Sequence, residues 1–236
     1  MNDNKFLAQI KRIGTALAFI LYPIFAGVAF AAHPNLMSLS ISHDVGEKIA
    51  EFHGNQLLHF GHFLMVLSVP CLIVIAIHFM SLLQTRRAWL GFIGGILAVI
   101  GAVILAVDKG ALCLVPSAFD TLTETEFQAL TPGIEAMFHY KGLLWVLWFL
   151  PVLPIGFIIQ TLGLVRSNEI SRWQTIPILI GSILMANPDI DIIGLVATVF
   201  LAIGFIPYAI NMLFTARNSS NQVPALAIGN NLNIRQ

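Results

Sequence analysis

Charge is scarce in this chain: of 236 residues only 10% are Asp, Glu, Lys or Arg, where a soluble domain carries roughly a quarter. The 12 basic and 12 acidic residues cancel to a formal net charge of zero, so no field of one sign draws the chain to nucleic acid or to an acidic partner. Cysteine is nearly absent. Cys71 and Cys113 both stand in apolar runs without CxxC spacing, which excludes a zinc knuckle and a disulfide framework and leaves them as small buried hydrophobes. The patterns HExxH, GxSxG, GxxxxGK[ST] and GxGxxG are missing as well, and with them the enzyme classes those patterns carry.

What is present is hydrocarbon, at 57% of the residues. A soluble core of this length could not hide that much apolar surface, whereas helices facing lipid have no need to. About 20 apolar residues cross roughly 30 Å of bilayer, and six such runs can be marked out: Ile13 to Ala32, Leu57 to Leu83, Ala88 to about Val107, Phe138 to Val165, Trp173 to about Ala186, and Ile192 to Phe214. The expected fold is an all-α polytopic membrane bundle of six transmembrane helices over residues 1–215. A polar stretch, residues 216–236, is expected to form a disordered cytoplasmic tail.

The few charges alternate in sign along the connections. Lys5, Lys11, Arg12, Arg86, Arg87, Arg166, Arg172, Arg217 and Arg235 share one side, which the positive-inside rule makes cytoplasmic. Both termini then lie inside and the number of spans is even. The opposite connections hold Asp44, Glu47, Glu51, Asp120, Glu124, Glu126, Glu135, Asp189 and Asp191, with only Lys48 and Lys141 as cations, so the outer face is acidic. A secretory signal ending at Ala29-Phe30-Ala31 is the rival reading of the first run, but that run is longer than the 7–15 residues of an h-region, and an uncleaved anchor is preferred. The expected place is a cell membrane.

Local signals fill in the outer side. Asp44-x-x-Glu47 reads as a capping box opening a short helix that Gly54 ends, and Thr121-x-x-Glu124 and Thr123-x-x-Glu126 do the same for a second outer segment. Thr131-Pro132 reads as N-cap and first residue of the fourth span, and Asp191 as N-cap of the sixth. Gly91-x-x-x-Gly95 gives the third span a small-residue face on which another helix can dock closely, in this chain or in a partner. Pro70, Pro151 and Pro154 are expected to kink the second and fourth spans.

Six of the seven histidines, namely His33, His43, His53, His59, His62 and His139, fall on outer connections or outer span ends. His59 and His62, three apart on a helix, share a face in the manner of metal ligands, and Glu135 and His139 share one at the start of the fourth span. Asp108-Lys109 lies about 20 residues into the third span, near the outer edge of the hydrocarbon, where charge is expensive and marks a functional site by default. The short fifth span leaves Asn187, Asp189 and Asp191 below the outer surface. Together these define an outward vestibule: His59, His62 and His139 as ligands of a divalent metal such as zinc, Asp108 as ligand or general base, and Glu135, Asp189 and Asp191 around them.

The order Ser171-Arg172-Trp173, an apolar helix containing Gly181, Asp191-Ile192-Ile193-Gly194 and Gly204-Phe205-Ile206-Pro207, with His59-x-x-His62 and the glycine-rich third span, resembles a family of uncharacterised six-span bacterial inner-membrane proteins. That resemblance implies location and no activity. Three functions compete. The first is a metal-dependent or proton-coupled site facing the periplasm, in a hydrolase or a small permease. The second is a b-type haem protein with axial histidines on the second and fourth spans. The third is a non-catalytic subunit or assembly partner, docked through Gly91 and Gly95.

Overall fold

A computed structural model describes residues 3–39, 44–187 and 190–221; His43, Asp189 and residues 222–236 lie outside the described residues. Those described are helical, without strands. The α-helices are α1 (Asp3–Ala31), α2 (Val45–Phe52), α3 (Gln56–Leu82), α4 (Ala88–Lys109), α5 (Val115–Phe119), α6 (Glu124–Phe138), α7 (Val152–Ser167), α8 (Arg172–Leu184) and α9 (Asp191–Asn221). A π-helical stretch, Gly110–Leu114, joins α4 to α5, and a 3₁₀ segment, Gly142–Phe149, precedes α7. Five stretches, Asn4–Ala31, Gln56–Leu82, Ala88–Phe119, Gly142–Ser167 and Asp191–Phe214, are long and apolar enough to cross a membrane. The chain is thus compatible with a multi-pass integral membrane protein.

The local starts follow side-chain chemistry. Asp44 accepts from the Gly46 N–H at 2.8 Å to open α2, and Asn55 accepts from Leu58 at 3.1 Å to open α3, each satisfying an amide that has no partner within the helix. Gly54 between them takes φ +72°, a left-handed turn that a Cβ would strain.

Four boundaries differ from the sequence expectation, each for a backbone reason. The third apolar run does not end near Val107. Its hydrogen bonding passes through the π-turns at 110–114 into α5, and Pro116 falls in the first turn of that helix, where its missing N–H costs nothing. Thr131-Pro132 does not start a span but lies inside α6, which the Thr123–Glu126 box has already opened. The fourth run is broken rather than continuous. α6 ends at His139, Tyr140 turns left-handed at φ 54°, and Pro151 and Pro154, lacking donors, hold off the regular helix until Val152. At the far end α9 continues to Asn221, so residues 216–221, expected in the tail, are helical.

Six helices close a ring in which each packs on the next: α1 on α3, α3 on α4, α4 on α7, α7 on α8, α8 on α9, and α9 back on α1. The close contacts of the glycines fix the directions. Gly61 meets Ala29 and Ala32, Gly194 meets Phe30 while Gly27 meets Thr198, and Gly181 meets Leu201 while Gly204 meets Ile178 and Gln174; these pairings run antiparallel. Along the α4–α7 seam, Gly101 faces Leu153, Gly94 and Ala98 face Gly156, and Leu90 faces Gly163. The face of Gly91 and Gly95 is therefore occupied within the chain: Gly91 lies against Leu83, and Gly95 against Met80 and Gln160. Gln160, fully buried, donates to the carbonyls of Ala76 at 2.9 Å and Gly91 at 3.2 Å, tying α3 and α4 to α7. In an apolar medium such a link is worth about 0.6–2 kcal/mol.

Outward-facing side chains such as Phe63, Ile77, Trp89, Phe92, Ile100, Val103 and Val199 are exposed and apolar, as helices in lipid require. α2, α5 and α6 sit over one end of the ring, where Ile49, Phe127 and Ile134 form a small core of their own.

Candidate functional site at the histidine-rich end

The end of the ring that receives the C-terminus of α1 and the N-termini of α3 and α9 gathers two histidine–aspartate clusters. In the first, Asp120, just past α5, stands between the α2–α3 turn and α3. Its Oδ1 accepts from the Gly54 N–H at 2.9 Å and lies 3.3 Å from His53 Nδ1, and its Oδ2 lies 2.9 Å from His59 Nε2. His53 also stacks on Phe127 of α6 with ring centres 3.8 Å apart. A single carboxylate thus fastens the outer cap to the top of α3.

The second cluster guards a cavity. His33 Nδ1 lies 3.1 Å from Asp191 Oδ1, linking the end of α1 to the start of α9. His62 points its ring edge at His33, with centres 5.1 Å apart, and lies flat against Phe52 of α2 at 5.2 Å. Lys109 Nζ pairs with Asp108 Oδ2 at 3.0 Å. His33, His62, Lys109, Asn187 and Asp191 rim a cavity of about 140 Å³ that descends between the ring helices past Ala29, Met65, Ser182 and Leu105 to Tyr22, Leu72, Phe157, Leu201 and Phe205. Polar groups lie at one end and hydrocarbon at the other. His62 is only 2% exposed, and no side chain bonds its Nδ1; the polar neighbour within reach is the Leu58 carbonyl of its own helix.

Below the cavity the ring is shut. Phe19, completely buried, touches Phe79, Phe205, Tyr208 and His78 with ring centres 5.0–5.5 Å apart, and His78 Nε2 meets the Tyr208 hydroxyl at 2.7 Å. This aromatic plug fills the end of the ring toward the Arg86-Arg87 turn.

The residues singled out from sequence are divided by the fold. His62 and Asp191 share the cavity rim. His59, one turn before His62, turns to Asp120 instead. Asp108 is buried and reaches the rim only through Lys109. Glu135 and His139, at the C-terminal end of α6, are exposed on the outer cap and do not line the cavity. Asp189 lies outside the described residues. Among the described residues no group of three or more His, Cys, Asp and Glu side chains is disposed to hold a metal ion. Sequence reasoning placed Asp120 and His33 on the outer side without assigning them a role, and Phe52 only on a helix. Their partners are 61, 158 and 10 residues away (Asp120–His59, His33–Asp191, Phe52–His62), and no local periodicity carries such pairings.

Set against protein-family models, curated proteins and solved structures, the chain matches none of them. The likeness to uncharacterised six-span membrane proteins rests on the residues that suggested it.

Proposed function

We propose that the protein is a six-span inner-membrane protein with both termini in the cytoplasm, and that it binds a small molecule in a cavity opening to the extracytoplasmic side. It acts as a small permease or carrier rather than as a metal hydrolase. The observation that carries this reading is the cavity itself: all six ring helices or their ends contribute to it, it is polar at the acidic end, and it is plugged by aromatics toward the basic end.

The span needed beyond the five long apolar stretches is α8, fifth in chain order. At about 1.5 Å per residue its 13 residues cover only about 20 Å, yet it starts just after the α7 C-terminus, on the level of Arg86-Arg87, and the chain leaving it reaches Asp191 beside His33. It therefore runs from one end of the bundle to the other, and a ring of antiparallel neighbours closes only with an even number of members. The basic residues of α1, the α3–α4 turn and the α7–α8 turn then share one end, as the positive-inside rule requires.

The reading is tested by thiol accessibility in a background carrying Cys71→Ala and Cys113→Ala. Ser182→Cys, on the cavity wall, reacts with a charged methanethiosulfonate applied from outside intact cells, and Gln174→Cys, buried two turns away on the same helix, does not. Failure of Ser182→Cys to react from outside, in a variant that still folds, overturns the outward opening.

A further inference from the structure

The cavity wall passes beside the 3₁₀ segment Gly142–Phe149, whose next residues, Leu150 and Pro151, line it. An eight-residue 3₁₀ run is unusually long, because its hydrogen-bond geometry is poorer than that of an α-helix. Pro151 and Pro154 follow at once, and each removes a backbone donor. The segment leans on α4 through Leu147, which packs with Ile104 and Cys113. On its other side it has no comparable support from α8, which stops at Leu184. Both edges of this seam, Leu150 and Pro151 on one and Met185 and Ala186 on the other, line the cavity. The outer face of the same seam is apolar and bare: Leu143, Trp148 and Ile183 are 86%, 71% and 52% exposed.

A cavity of about 140 Å³ is close to the roughly 150 Å³ that holds a benzene in an engineered protein core. It therefore has room for a ring or a short stretch of chain, and anything longer extends through the wall or the mouth. We propose that the ligand is a membrane-borne amphiphile, taken sideways from the outer leaflet through the seam between the 3₁₀ segment and α8. Its head, a group able to accept hydrogen bonds such as a carboxylate, phosphate or carbonyl, lies at His62, His33 and Lys109. Its hydrocarbon runs down past Leu105 and Phe157, with the remainder in the bilayer. Apolar walls at that depth gain roughly 25 cal/mol per Å² of chain surface they cover relative to water, but nothing relative to lipid. Selectivity therefore falls to the head, which meets the buried imidazole of His62 together with His33 and Lys109 at the rim. This inference rests on the cavity being a binding site, as proposed above, and adds the class of ligand and its route.

The test is photolabelling of the full chain in lipid vesicles, with residues mapped by mass spectrometry. The probes are a palmitate and a phosphatidylcholine that each carry a diazirine in the chain, together with a small water-soluble diazirine. The inference expects at least one lipid probe to label Leu105, Leu153 or Phe157 inside the cavity, in addition to lipid-facing sites such as Trp89. Internal labelling is expected to fall at least fivefold in Ser182→Phe, and in Leu105→Trp as a second variant, with labelling of the outer surface unchanged. Palmitate alone labelling the interior identifies a single-chain acid, and phosphatidylcholine labelling it identifies a phospholipid; either supports the inference. Labelling of the interior by the water-soluble probe alone overturns the amphiphile and leaves the cavity as a solute site. Labelling by none of the three overturns both readings.

Discussion

The Asp120 carboxylate reaches across the top of the bundle to His59, Oδ2 to Nε2 at 2.9 Å, while its other oxygen accepts the Gly54 amide at 2.9 Å. One side chain thus holds the α2–α3 turn, the start of α3 and the end of α5 together, and through α2 it holds Phe52 over His62. Removing it takes the acceptor from the Gly54 N–H and the carboxylate from beside His59. Asp120→Ala is expected to lower stability by about 1–3 kcal/mol, and Asp120→Asn, which keeps an acceptor for Gly54, by less. Thermal unfolding of the detergent-purified protein reads both, and equal losses in the two variants would show that the Gly54 bond carries no part of the effect.

The α4–α7 seam predicts a sharp contrast between glycines. A Cβ at Gly156 would stand 2.3 Å from the Ala98 nitrogen and 2.6 Å from the Gly94 carbonyl oxygen, both backbone atoms that cannot step aside. Gly156→Ala is expected to force the helices apart, at a cost above about 2 kcal/mol, and to reduce the yield of monodisperse protein. Gly133, inside α6, has nothing within 4 Å of its Cβ position. Gly133→Ala is expected to stabilise by about 0.4–1 kcal/mol. Size-exclusion profiles and melting curves of the two variants separate a packing role from a generic response to alanine.

Gln160 donates to two helix carbonyls, but its own Oε1 is buried and unpartnered. The link is therefore partly offset by a desolvation cost. Gln160→Met, close in volume, is expected to change stability by less than about 1 kcal/mol, whereas Gln160→Ala opens a void against Gly94 and Gly95 and costs about 2 kcal/mol or more. Melting temperatures of the two variants in the same detergent decide it, and a severe loss in Gln160→Met would make the hydrogen bonds rather than the packing dominant.

At the outer cap, the Thr123 backbone N–H and hydroxyl both donate to Glu126, at 2.9 and 2.7 Å, and hold its carboxyl below the usual carboxylate range. A depressed folded-state value means that the carboxylate stabilises the start of α6 fully above the ordinary glutamate value of about 4.3, and that this is lost as pH falls through the lower folded value. Amide exchange at residues 124–127, corrected for its intrinsic pH dependence, is expected to show α6 opening more readily below about pH 4 in the wild type. Glu126→Gln should show little of that change.

Much of the architecture was legible in composition and charge. Long apolar runs at Asn4–Ala31, Gln56–Leu82 and Asp191–Phe214 follow directly from the hydropathy pattern, and the capping residues Asp44 and Thr123 stand where short-range chemistry puts them. The breaks were harder to read. The π-turns at 110–114 and the 3₁₀ segment before Pro151 lie inside apolar runs, and hydropathy reads through both as if the helix were continuous. The histidine-rich end was legible as a region and not as a site. Two residues three apart on α3 looked like one ligand pair, yet His59 belongs to Asp120 and His62 to the cavity, because partners arriving from α1, α2 and the end of α5 divide the face between them.

The direct test of this account is the sidedness of the two ends of α8. In the cysteine-free background, Glu169→Cys and Asn187→Cys are each treated with a membrane-impermeant maleimide, in intact cells and in inverted vesicles. The proposed six-span topology predicts that Asn187→Cys is modified from outside the cell and Glu169→Cys only in inverted vesicles. Modification of both from the same side would show that α8 does not cross the membrane and would contradict the six-span account.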